Sequence, residues 1–218
     1  MTGMTVTQLH NLFAVLALVA IGGAVLMLLA RIIPSVASVR FLGVVHKVQL
    51  PLAALVATTA SLGSLYMSEY GNYWQPCRFC WFQRIFMYSS AVVLIVAAIR
   101  RDRGAKWYAV PLAAIGILLS GYHILLERGV IIEGTACDAT GVKCTVPYFI
   151  SFGHRDANTL GPAGFPAVTL AVMAFCGFAA ILALLLLPEP LGLDTPDDTT
   201  SPTELNTKDD HHGEPAAS

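Results

Sequence analysis

Long uncharged stretches alternate along this chain with short segments where charges gather. Five such stretches stand out: residues 12–30, 48–68, 85–99, 107–126 and about 165–187. Crossing a hydrocarbon core of about 30 Å takes roughly 20 apolar residues, so each reads as a membrane-spanning helix. The third is short, bounded by Arg84 and Arg100. To span, its helix must begin near Trp81, which puts Arg84 one turn inside. Apolar residues occur all round these segments, as lipid exposure demands and as a one-sided soluble helix does not show. Residues 189–218 are rich in Asp, Glu, Thr and Pro and are expected to form a disordered tail, since they cannot build a packed core.

Composition agrees with this pattern. Hydrophobic residues make up 56% of the 218 positions and charged residues only 12%, about half the usual share in soluble domains. The net charge of −1 offers no basic field for nucleic acid. With so few charges, their placement sets orientation. Arg31, Arg40 and Lys47 lie between the first two stretches, and Arg100, Arg101, Arg103 and Lys106 between the third and fourth. Both segments are expected on the cytoplasmic side. The N-terminus and the segments 69–80 and 127–164 then face outward, and the tail faces the cytoplasm. A signal-peptide reading of the first stretch is disfavoured, because Arg31 follows the apolar run and no basic residue precedes it.

This orientation, derived without the cysteines, puts four of the five on the outer side, where disulfides persist. Cys77 and Cys80 form a CxxC at the mouth of the third helix, and Cys137 and Cys144 lie in the second outer segment. Cys176 falls inside the fifth stretch and reads as a small packing residue. A CxxC at a helix start meets unpaired backbone N–H groups and the positive end of the helix dipole. Both favour the thiolate that attacks and leaves disulfides. The other readings are two inert disulfides, or a zinc site for which the spacing of Cys137 and Cys144 is unusual. Covalent haem would need His in place of Trp81, and the βαβ pattern of a thioredoxin domain is absent from the sequence. In the tail, His211 and His212 read as solvated residues rather than metal ligands.

Arg84 lies four residues after Cys80, on the same helical face. A cation within a membrane helix is costly and marks a functional candidate, although an arginine one turn from the interface can also extend its head to water. His123, near the outer end of the fourth helix, is either a proton donor at a site or an interfacial residue bonded to nearby backbone. Trp81 and Tyr88 are candidates to line the same site, with interfacial anchoring as the alternative for Trp81. Tyr148, Phe149, Ile150, Ser151 and Phe152 are too apolar for a solvated loop and are expected on the membrane surface.

Together these residues resemble the disulfide bond formation protein B family (DsbB and its BdbC relatives). The resemblance covers about residues 46–187. It rests on Pro76-Cys77-x-x-Cys80-Trp81-x-Gln83-Arg84-Ile85-x-Met87-Tyr88, on Gly121-Tyr122-His123-x-Leu125-Leu126, on the later cysteine pair, and on Phe165-Pro166. It implies an all-α integral membrane protein: a four-helix transmembrane bundle over 46–188, preceded by one extra N-terminal transmembrane helix with a basic loop (1–45) and followed by the tail (189–218). It also implies a thiol:quinone oxidoreductase of the bacterial plasma membrane, whose acceptor is ubiquinone or menaquinone and whose partner is a DsbA-like thioredoxin-fold oxidant.

By position, Cys77 and Cys80 match the quinone-proximal pair. Cys80 would engage the quinone ring beside Arg84, Cys137 would form the mixed disulfide with the partner, and Cys144 would be its companion. His123, Trp81 and Tyr88 join Cys80 and Arg84 as expected quinone contacts, and no metal is expected. This chain departs from the Gram-negative pattern in the close spacing of Cys137 and Cys144, the extra first helix and the acidic tail. Two other readings compete. One is a vitamin K epoxide reductase-like enzyme, disfavoured because its loop pair precedes the CxxC. The other is a scaffold with structural disulfides, which leaves Arg84 unexplained.

Overall fold

The computed structural model describes residues 6–33, 35–70, 76–132, 144, 149–150 and 168–188. Its described elements are α1 (Val6–Ile32), α2 (Val36–Lys47), α3 (Gln49–Tyr70), α4 (Arg78–Arg100), a 3₁₀ turn (Arg103–Ala105), α5 (Lys106–Glu127), strands β1 (Phe149–Ile150) and β2 (Val168–Thr169), and α6 (Leu170–Leu185). Four helical segments are long and apolar enough to cross a bilayer: Asn11–Ile32, Gln49–Tyr70, Arg78–Arg100 and Arg103–Glu127. The fifth expected span corresponds to α6, whose 16 residues extend roughly 24 Å at a rise of 1.5 Å per residue. The tail 189–218, with His211 and His212, lies outside the described residues, as do Tyr148, Ser151 and Phe152.

Small residues let the helices approach closely, as membrane bundles require. Ala53 and Ala57 of α3, Ala91 of α4, and Ala109 and Ala113 of α5 are buried around Leu94, Phe178, Ile181 and Leu184. Gly116 of α5 sits against the ring of Phe178, which a Cβ there would overlap. At the basic end, the buried Gln49 amide donates to Leu184 O (3.0 Å) and accepts from Lys106 Nζ (3.2 Å) in the orientation that satisfies both its ends.

Three sequence expectations need correction. Residues 36–47, expected as basic loop, form α2. Ser35 caps it, its Oγ accepting from Ser38 N at 3.1 Å, and its exposed Val36, Val39 and Val44 suit a helix lying at a lipid interface. α2 gives way to α3 at Val48 because Pro51 cannot donate to Lys47 O.

The third span starts at Arg78 rather than near Trp81. Cys77 is its N-cap, the Sγ accepting from Cys80 N at 3.4 Å. The last helix starts at Leu170. Val168 and Thr169 pair antiparallel with Ile150 and Phe149, and Thr169 Oγ1 then caps α6 by accepting from Val172 N at 3.2 Å.

Candidate active site

The cap that starts α4 brings the CxxC sulfurs together. Cys77 and Cys80 are reduced, and Cys77 Sγ donates to Cys80 Sγ at 3.1 Å. That hydrogen bond, with burial, pushes the Cys77 thiol up to about 12. Cys77 Sγ in turn lies 3.6 Å from His123 Nε2. Gln83 Nε2 stands 3.2 Å from His123 Nδ1. An amide NH₂ facing Nδ1 assigns the imidazole proton to Nε2, so the donors run in one direction, from His123 through Cys77 to Cys80.

Behind His123 lies an acidic residue. Glu127, four residues on, has Oε1 at 3.8 Å from His123 Nε2 and accepts from Thr169 Oγ1 at 2.7 Å through Oε2. Thr169 thereby joins the C-terminal end of α5 to the start of α6. Cys144 is buried with Cys77 and Leu126 in one cluster, against Phe79, Cys80 and Ile131. Cys137 lies outside the described residues.

On its other side the pair opens onto a cavity of about 590 Å³ between α1, α3, α4 and α6, lined by Cys80, Gln83, Arg84, Met87 and Tyr88 and otherwise mainly by apolar side chains. This is within the usual size of ligand sites, which are mostly apolar with a few placed polar groups. Arg84 is held in the bundle: one guanidinium nitrogen donates to Ser64 O at 3.4 Å, and its Cζ stands 5.3 Å from the Trp81 ring centroid. The Tyr88 hydroxyl is buried and has no hydrogen-bond partner among the described residues. A buried hydroxyl without a partner is costly and suits a ligand oxygen in the cavity.

The expected residues therefore divide. Cys80, Arg84 and Tyr88 line the cavity, whereas His123 and Trp81 do not. His123 packs on the Cys77 side because α5 turns that face toward the α4 cap, and Trp81 is over half exposed, serving as a platform for Arg84. Sequence reading missed Gln83, Glu127, Thr169 and Ser64 as site residues. Two carried a signal: Gln83 lies within the motif next to Arg84, and Glu127 is an acid four residues after a histidine at a helix end.

The sulfurs of Cys77 and Cys80 and a nitrogen of His123 lie within 4.8 Å of one another. In a tetrahedral zinc site, however, Zn–S bonds of about 2.3 Å hold sulfurs roughly 3.8 Å apart. The 3.1 Å contact fits a dithiol poised to close better than a metal pair.

Comparisons with known proteins agree with this geometry. The family model described as "Disulfide bond formation protein DsbB" matches residues 46–188. A probable disulfide formation protein of Deinococcus radiodurans is 40% identical over 141 residues, covering 64% of this chain and 88% of that protein. The probable disulfide formation protein C 2 of Bacillus cereus is 32% identical over 141 residues, covering 65% and 91%. The disulfide bond formation protein C of Bacillus subtilis is 32% identical over 133 residues, covering 61% and 86%. No solved structure matches. With a family match over most of its length and four helices able to cross a bilayer, the chain belongs to the disulfide bond formation protein DsbB family and is a multi-pass, disulfide-forming membrane oxidoreductase.

Proposed function

We propose that the protein is a thiol:quinone oxidoreductase that reoxidises a DsbA-like thioredoxin-fold partner outside the bacterial plasma membrane. One observation carries this reading: the two sulfurs of the CxxC have different surroundings. Both touch the cluster that holds Cys144, but only Cys80 also borders the apolar cavity with Arg84.

The partner's thiolate attacks the Cys137–Cys144 disulfide at Cys137, forming a mixed disulfide and releasing Cys144. Cys144 attacks Cys77 in the Cys77–Cys80 disulfide, and Cys80 leaves as the thiolate. The partner's second thiolate then closes its own disulfide and frees Cys137, which displaces Cys77 from Cys144 and restores the loop pair. Two electrons now reside on Cys77 and Cys80. Exchange proceeds without net change in bond count, so direction follows the potentials, with 30 mV worth about 1.4 kcal/mol.

A quinone bound in the cavity supplies a two-electron, two-proton sink. Arg84 would hold one ring oxygen by a charge-assisted hydrogen bond, and the free Tyr88 hydroxyl would meet another polar atom of the ring. His123 donates toward Cys77 and steadies negative charge there during exchange with Cys144, and Glu127 and Gln83 hold its ring in place. The same reading takes 46–188 as a four-helix catalytic domain, 1–45 as an added N-terminal transmembrane helix with its basic segment, and 189–218 as a cytoplasmic tail. It puts the N-terminus outside the cell.

Membrane vesicles containing quinone and a reduced thioredoxin-fold dithiol test the proposal. The expected result is quinone-dependent thiol oxidation that falls to background in Cys80→Ser and in Cys137→Ser. Normal turnover in both variants would overturn it.

A further inference from the structure

The cavity beside Cys80 is not built by the matched domain alone. Along α1 its lining includes Phe13, Leu16, Ala17, Ala20, Gly23 and Met27, the spacing of three and four that marks one helical face. α1 lies wholly outside the family match. Phe13 and Met27 are 14 positions apart, which is roughly 21 Å of helix, about two-thirds of the hydrocarbon thickness. Cys80 and Arg84 border the same cavity as Phe41, Val45 and Leu184 toward the basic end of the bundle. Its shape is therefore long, and of its few polar side chains (Thr59, Ser64, Gln83, Arg84 and Tyr88) Gln83 and Arg84 stand within about one helical turn of Cys80. Such a space fits a molecule with a polar ring and a hydrocarbon tail, not a compact one.

Two local features show how α1 forms this wall. The Phe13 ring packs on Gly63 of α3, where any Cβ would overlap it, and this pins α1 to the bundle near the ring end. Farther along, Ala17, Ala20 and Gly23 keep the wall shallow. Gly22 and Gly23 each have open space where a Cβ would project, but only Gly23 lines the cavity.

We propose that α1 is the tail-binding wall of the acceptor site, holding the hydrocarbon tail of a lipid-soluble quinone whose ring sits at Cys80 and Arg84. This rests on the reading of Cys80 and Arg84 as the acceptor site.

Photolabelling reads the contact without turnover. The probe is a benzoquinone bearing a decyl tail ended by a diazirine, applied to the full chain in vesicles. Trypsin releases residues 1–31 as one peptide, because Arg31 is the first basic cleavage site. Label is expected on that peptide. It should fall roughly tenfold in Gly23→Leu, a factor that corresponds to about 1.4 kcal/mol, and hold in the neighbouring Gly22→Leu. Ala20→Leu obstructs the same face should Gly23→Leu fold poorly.

In turnover, Gly23→Leu should raise the apparent KM for the decyl quinone while leaving that for the tailless ring within about twofold, as substitutions away from a site usually do. Label absent from residues 1–31, or equal in Gly22→Leu and Gly23→Leu, would overturn the proposal and leave the groove to membrane lipid. Failure of the underlying reading looks different: the tailless quinone would go unreduced, or its KM would not respond to Arg84→Met.

Discussion

Cys77 and Cys80 differ by three positions and both touch the cluster around Cys144, yet of the two only Cys80 lines the apolar cavity. Cys77 sits among polar partners, with His123, Gln83 and Glu127 behind it and Cys144 packed alongside. Cys80 borders an apolar cavity in which Arg84 is the one cation among the described residues. The first setting suits exchange with another cysteine, where a proton must be held and returned. The second suits a lipid-soluble acceptor, where a half-buried cation offsets negative charge. In the proposed mechanism one helical turn separates protein-side from membrane-side chemistry, with the N-cap of α4 between them.

Arg84→Met should damage the Cys80 side alone. Losing a charge-assisted hydrogen bond costs about 1.5–3 kcal/mol, so the apparent quinone KM is expected to rise roughly ten- to a hundredfold. Exchange between the loop cysteines and the partner, followed as mixed disulfide in rapid-quench samples, should be unchanged. An unaltered KM would make Arg84 an interfacial anchor on Trp81.

His123→Phe should do the reverse. Removing one ordinary hydrogen bond costs about 1 kcal/mol, so reduction of the Cys77–Cys80 pair by the loop should slow about fivefold while the quinone KM holds. A change confined to KM would put His123 back at the acceptor.

A smaller effect probes the hydrogen bond between the sulfurs. With its thiol pushed up to about 12, well above the ordinary cysteine value of about 8.5, Cys77 stays protonated at neutral pH. Its alkylation in the reduced protein should be slow and still rising through pH 10. The sign follows for stability: the raised value favours the folded, reduced protein below the unfolded value, and the gain fades as pH climbs toward the folded one. Trypsin cuts at Arg78, between the two cysteines, so mass spectrometry reads each separately. An alkylation plateau for Cys77 below pH 9 would contradict the arrangement.

Much of this comparison was legible in the sequence. Hydropathy locates spans because the bilayer demands length and apolarity, and a lone arginine beside a CxxC is conspicuous when charges are scarce. Facing was harder to read. The resemblance groups His123 with Cys80 and Arg84, but its neighbours depend on how α5 rotates against α4, which an all-round apolar helix does not encode. For the same reason nothing in α1 announced that Ala17, Ala20 and Gly23 would face a cavity. A search for uncharged runs passed over α2, since Arg40 and Lys47 interrupt it. The early start of α4 was hidden because its cap is a cysteine rather than Ser, Thr, Asp or Asn.

The division of labour between the sulfurs has one most direct test. Trypsin also cuts at Lys143, between Cys137 and Cys144, so Cys77, Cys80, Cys137 and Cys144 fall on separate peptides. In mildly oxidised protein carrying both Cys80→Ser and Cys137→Ser, where Cys137 can no longer resolve the bond, the account predicts a Cys77–Cys144 disulfide by peptide mapping. A Cys77 that stays free there, with a Cys80–Cys144 disulfide in the parallel protein carrying Cys77→Ser and Cys137→Ser, would contradict it.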